Sequence, residues 1–464
     1  MTNSFETAGF WHVPDNPSRK IAGTLRYSAE DGLRLALTGS FGEWPSGQRA
    51  DSYPTIHGIV HDSPFGKAFT LVDCFRTMLS VQMPGFATEE VFANHAYAGD
   101  HWPTKDNLLF GSAALELSAL DNWIDTSGIS CRPPKERADA IQMEYARPES
   151  IPIALDDQTL KIDFGWSRSQ SLRAYSFREK VGIKIDGLGR MPQDQIAQQY
   201  IYPLQNFFTF ATDHPSAIGS TVFYSRDMNS ADLEQSSAFH YLAQPIYLLK
   251  ETEKQLQSHD MLFTYEDVKD DLPRLFRRWF DFTRVFKPFC LSYFGLLYAP
   301  DRFIDERFRT LIESLVLFFR TQGESDQSFH LVLNETIRSF QTHCEGRNSH
   351  WLADVMPTAA DLALPWNLLA ALERHRDVMT PLTGDNIERF VDKIVATRRY
   401  CQYRDPALVD RAAQGAELFW LTEKVKVLVK MLILEHLGIP CDLVTKCVKR
   451  NRVYSHLVGL ADTD

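Results

Sequence analysis

The chain has 464 residues, 44% of them hydrophobic and 23% charged, with a net charge of −11. This composition excludes a disordered or low-complexity polypeptide, and the length suggests two or three domains. The acidic balance argues against a surface that binds nucleic acid indiscriminately, although it leaves room for a local site.

Residues 1 to about 125 alternate apolar and polar positions in short segments broken by Gly, Pro and Asp, as in Ile21–Tyr27, Leu33–Leu37, Thr55–Val60 and Ala68–Val72. That is an antiparallel β pattern. Segments within 151–187 continue it, and Thr221–Tyr224 adds a further strand. Between them, Ile196, Tyr200, Ile201, Leu204 and Phe207 mark a helix lying on the sheet. A β-rich domain is therefore expected over 1–235, with a helical connector over 236–267.

Helical spacing takes over from residue 268. Leu275, Trp279, Phe282 and Phe286 form one stripe, Phe308, Leu311, Ile312, Leu315 and Phe319 a second, and a third helix runs from Ala359 to Arg376. A fourth begins at Asp385, capped with help from Glu388, and a fifth spans Ala416–Leu437 before Gly438 and Pro440 stop it. The fold class is α+β: an antiparallel, sandwich-like or barrel-like front half, then an all-helical bundle over 268–464. Residues 323–350 form a polar, peripheral excursion from it.

The fourth helix raises the first question of function. Ile387, Phe390, Val391, Ile394 and Val395 share a face, and Arg398 continues it. A guanidinium does not lose its proton, so on an apolar face it must meet a carboxylate, a phosphate, a partner chain or trapped water. The bland reading is a solvated arginine placed well for the helix dipole. Charge supports a site nearby. From Arg389 onward there are 13 Lys and Arg against 9 Asp and Glu, so the tail is about +4 while the rest of the chain is about −15.

Other chemistry is sparse. The seven cysteines show no C-x-x-C and no metal-ligand spacing, which suits reduced thiols in the cytoplasm. The N-terminus lacks the pattern of a secretory signal, and no apolar run approaches the roughly 20 residues of a membrane span. His57 and His61 lie four apart on a strand with Gly58 between them, a poor metal pair, and no metal or cofactor is expected. P-loop, hydrolase-elbow and zincin motifs do not occur. Trp11, Trp44, Trp102 and Trp166 suit core or turn packing better than ligand stacking, although a glycan-sensing β module is a third reading.

Two stretches resemble a known family. Thr397-Arg398-Arg399-Tyr400-Cys401-Gln402-Tyr403, followed after a gap by the apolar helix closing in Leu437-Gly438, resembles the Apea-like branch of the HEPN superfamily. Gly9-Phe10-Trp11, Ile21–Leu25, Leu35–Gly39, Ile56-His57-Gly58, Gly66–Leu71 and Leu120–Trp123, in that order, resemble the Apea N-terminal domain. The resemblance implies a bacterial abortive-infection protein acting against phage. Its helical domain would be a metal-independent endoribonuclease in which an arginine holds the scissile phosphate and a histidine handles the 2′-hydroxyl proton across a dimer interface. Here Arg398 takes the first role, but Arg399 stands in place of the family's Asn and Tyr403 in place of its His. Tyrosine, with an ordinary pKa near 10, is a weak general base at neutral pH. A second Arg-Asn-x-x-x-x-His run, Arg450, Asn451 and His456, supplies a substitute base, while Arg399, Arg404 and Arg452 add to the RNA-binding field. The implied partners are RNA, with tRNA among the candidates, a phage trigger, and a second copy of the chain in a homodimer or higher even oligomer. The alternative reading is a pseudo-nuclease that binds RNA or protein without cutting.

Overall fold

The computed structural model describes residues 4–42, 51–81, 85, 87–102, 108–132, 142–226, 237–245, 256–323, 335 and 359–461. The chain divides into two compact units, Met1–Leu256 and Gln257–Asp464.

In the first unit, strands β1 (Phe5–His12), β2 (Ile21–Ser28), β3 (Gly32–Leu37), β4 (Ser52–Val60), β5 (Ala68–Val81) and β6 (Ala87–Ala98) pair antiparallel in the cyclic order β1-β2-β3-β6-β5-β4-β1. This is a closed six-stranded barrel. Closure leaves these strands no open edge, and inward-facing alternate residues fill the interior. Trp11, Leu25, Leu33, Leu35, Ile56, Phe69, Leu71 and Val91 are buried there. One glycine is dictated by this packing. Trp11 and Gly58 are cross-strand partners, and a Cβ on Gly58 would stand 2.1 Å from the indole.

A second sheet grows from the barrel wall. Its strands are β7 (Leu109–Phe110), β8 (Ser112–Leu117), β9 (Ile129–Arg132), β10 (Gln142–Tyr145), β11 (Ile151–Ala154), β12 (Thr159–Ser171), β13 (Ala174–Asp186), β14 (Met191–Pro192), β15 (Ile218–Tyr224) and β16 (Ala238–Ala243), with β9–β10 and β7–β14 as small separate ribbons. The main order is β11-β12-β13-β8-β15-β16, and β16 joins β6 just past the end of its pairing with β3. Helix α1 (Leu120–Ile124) packs on β8 and β13. The expected helix over 194–211 is a run of α2 (Gln193–Ile196), a π turn and α3 (Tyr202–Thr212), whose Phe207 and Phe208 meet Trp123 edge to face.

The second unit contains α4 (Tyr265–Val268), α5 (Leu272–Val285), α6 (Lys287–Tyr298), α7 (Ile304–Gln322), α8 (Ala359–Arg374), α9 (Arg376–Thr383), α10 (Ile387–Tyr403), α11 (Gly415–His436), α12 (Cys441–Arg450) and α13 (Arg452–Ala461). Helix α11 is apolar on almost every side, which marks a central helix rather than an amphipathic surface one. It packs against α7, α8, α9, α12 and α13.

Three expectations need correction. Residues 238–243 of the proposed helical connector are a strand, paired antiparallel with β15 and with the end of β6 beyond its pairing with β3, and the division between units falls at 256/257. The cap of α10 is Asn386, whose side chain accepts from the Arg389 amide at 2.8 Å, rather than Asp385. The helix expected from Ala359 to Arg376 breaks at His375 into α8 and α9. Trp44 and nearly all of the 323–350 excursion lie outside the described residues.

Candidate nucleic-acid site in the helical unit

The site is built around α10. Its buried stripe of Ile387, Phe390, Val391, Ile394, Ala396 and Thr397 seats it against α7, α8 and α9. Thr397 is fully buried; its hydroxyl donates to the Lys393 carbonyl at 2.7 Å and accepts the Ala413 amide at 2.9 Å. That second bond ties the loop entering α11 to the helix beside Arg398. Arg398, one residue after the buried Thr397, is half-buried. Arg399 is exposed, and Tyr403 is 69% exposed at the helix terminus.

Arg404 ends α10 in the left-handed conformation, φ 52°, with its amide bonded to the Tyr400 carbonyl at 2.8 Å. Its guanidinium pairs with Asp305 and lies 5.4 Å from the Tyr400 ring centre. An open cleft of about 460 Å³ follows, lined by Phe303, Ile304, Asp305, Glu306, Arg309, Cys401 and Arg404. Within the chain, therefore, Arg404 answers a carboxylate. A polyanion could take its place only by competing for it.

Sequence reasoning missed a second group of cations, on the face where α7 meets α11. Glu423 holds Lys426 at 2.7 Å and lies 3.9 Å from Arg307, with all three side chains less than 20% exposed. Lys430, one turn further along, is 9% exposed. Burial lowers the Lys426 ammonium below its ordinary pKa; Glu423 offsets this in part, and the charges of Arg307 and Lys430 lower it further. Arg307 and Lys426 thus share the Glu423 carboxylate. The signal was legible: Lys426 and Lys430 interrupt the apolar run Val425–Leu434 at a four-residue spacing, an anomaly like the one that singled out Arg398.

The Arg450, Asn451, His456 run is used differently. Arg450 forms a two-pronged bond with Asp267, at 3.0 and 2.5 Å, and this pairing raises its pKa further. Burial pushes the Asp267 carboxyl up, but the bonds from Arg450 and Thr264 outweigh it and leave it below the usual carboxylate range. Asn451 is 3% exposed; its oxygen caps α13 by accepting the Val453 and Tyr454 amides, and its nitrogen donates to the Met261 carbonyl. Both side chains thus stitch α12 and α13 to the segment before α5. Arg452 is exposed, 3.9 Å from Asp260, and His456 is an exposed residue whose ring meets Trp420. Helix α10 packs on α7, α8 and α9, whereas α13 packs on α9, α11 and α12.

A closed β-barrel with an attached sheet, followed by an all-helical unit, defines a two-part protein. Residues 6–279 match the family described as ApeA N-terminal domain 1, and the chain belongs to that family. Residues 311–443 match Apea-like HEPN, so the second unit carries a HEPN domain. This match includes Thr397–Tyr403 and the Lys426–Lys430 turn and stops short of Arg450, Asn451 and His456. No curated protein and no solved structure matches the chain. No helix among the described residues is long and apolar enough to cross a membrane.

Proposed function

We propose that the chain is a cytoplasmic anti-phage defence protein whose HEPN domain acts on RNA, tRNA being the first substrate to test. The observation that carries this reading is Arg398. It stands at the edge of a buried face, on a helix turn locked by Thr397, inside the segment matching Apea-like HEPN. Arg398 holds the scissile phosphate, Arg399 and Arg404 strengthen the field around it, and Tyr403 donates a hydrogen bond that orients the substrate. HEPN domains pair through such helices, so the active form is a homodimer or higher even oligomer, triggered by a phage protein.

A second reading has its own support. Tyr403, where an active HEPN domain would carry its base, is a largely exposed phenol, which favours RNA binding without cleavage. Incubating the full chain with total tRNA separates the two. Cleavage that disappears in Arg398→Ala supports the nuclease; cleavage equal in both forms removes Arg398 from the site. Retarded but intact tRNA, released by Arg398→Ala, establishes the binding protein. Comparing His456→Ala in the same assay decides whether that histidine serves as the base.

A further inference from the structure

The barrel carries a cluster that the RNA reading does not use. His12, at the end of β1, and His57, on β4, are cross-strand partners. Successive strand residues face opposite sides, so with Trp11 inside the barrel both histidines lie on its outer wall. His101, in the segment after β6, completes the group. One ring nitrogen from each residue lies within 4.8 Å of the other two. The rings of His57 and His101 are parallel with centres 4.6 Å apart, and His12 stands edge-on to both.

The hydrogen bonds sort the six nitrogens into two sets. His57 Nε2 donates to the Trp102 carbonyl at 2.7 Å, His101 Nε2 to the Gly58 carbonyl at 2.9 Å, and His12 Nδ1 to the Val13 carbonyl at 3.1 Å. A carbonyl only accepts, so each of these nitrogens carries the proton. The lone pairs are then left on His57 Nδ1, His101 Nδ1 and His12 Nε2. A metal-binding histidine requires this tautomer logic, with one nitrogen anchored to a carbonyl and the other turned to the ion.

We infer that His12, His57 and His101 form a three-histidine site for a divalent transition metal, with Zn²⁺ the reference ion, on the outer wall of the barrel. Bonds of about 2.1 Å limit ligand nitrogens to about 4 Å apart, so binding draws the three rings together and tilts those of His57 and His101 out of parallel. The ion ties β1, β4 and the segment after β6 at one place and keeps a fourth position for water or a ligand from outside. The inference is independent of what the helical unit does to RNA.

The test uses the full chain, stripped with a chelator, then titrated with Zn²⁺ by calorimetry and with Co²⁺ by visible spectroscopy. One metal per chain is expected, with the absorption of nitrogen-ligated Co²⁺ and a rise in melting temperature that saturates at one Zn²⁺. His12→Gln, His57→Gln and His101→Gln each weaken binding by at least the roughly 10–100-fold seen when even outer partners of a metal site are lost. His61→Ala binds as the native chain does. No uptake, no thermal shift in the native chain, equal binding by the three variants, or a thiolate-to-cobalt band from the exposed Cys131 or Cys441 would each overturn the assignment.

Discussion

The two units handle buried charge in opposite ways. In the barrel, Glu89 is fully buried and fully answered: it accepts from Tyr53 Oη at 2.6 Å, Arg76 Nε at 3.0 Å and the Phe41 amide at 3.0 Å. Burial, followed by the bond to Glu89, pushes the Tyr53 phenol up to about 12, so it stays a donor. In the helical unit Arg307 and Lys426 share Glu423, at 3.9 and 2.7 Å. A balanced buried network holds a fold together, and removing one member is costly. Where two partly buried cations share one carboxylate the answer is less complete, and a ligand of the opposite sign would relieve it.

The sharpest way to break this contrast is Glu89→Gln, which removes the buried carboxylate from Arg76 and leaves it the exposed Asp51 at 3.8 Å. A loss of about 3–5 kcal/mol is expected in urea unfolding of the full chain. Gly58→Ala drives a methyl into Trp11 and should cost about 3 kcal/mol by the same measurement, confirming that the barrel interior has no slack. In the helical unit, Asp267→Asn should cost about 2 kcal/mol, less than a fully enclosed pair because the Arg450 side chain is 26% exposed. That variant also has a pH signature. The folded Asp267 carboxyl sits below its unfolded value, so its contribution is complete above the ordinary carboxylate range and disappears as pH falls through that range towards the folded value. Acid melts of native chain and variant should therefore converge at low pH, with tRNA binding at neutral pH unchanged. Thr397→Val strands the Ala413 amide and should cost about 1–2 kcal/mol, while reducing RNA activity more than that loss of stability explains. Smallest of all, Arg404→Ala removes an ion pair 60% exposed on the arginine side and should change stability by less than about 1 kcal/mol, yet weaken RNA binding and flatten its salt dependence.

Much of the architecture was readable before any coordinates. Alternation located β2–β5, β11–β13 and β15, and three- and four-residue spacing located α5, α7, α10 and α11, because these periods come from the backbone and show wherever one face is buried. The expectation that Arg398 continues the apolar face of α10 came from the same spacing. The connector failed because a strand as short as Ala238–Ala243 has too few turns of either period to declare itself, and its pairing partners lie far away in sequence. The Arg450–Asn451 run misled because a sequence spacing does not reveal a partner 183 residues distant.

The amino-acid sequence by itself determined the order of the two units, the class of each and the helix that carries Arg398, since all three follow from local periodicity and from motifs within one segment. Only the tertiary structure decided that six strands close into a barrel, that Arg450 is spent on Asp267, that Arg307 joins Lys426 beside a single carboxylate, and that His12, His57 and His101 converge. Those meetings depend on strand register and helix packing, which bring together side chains that no local pattern links.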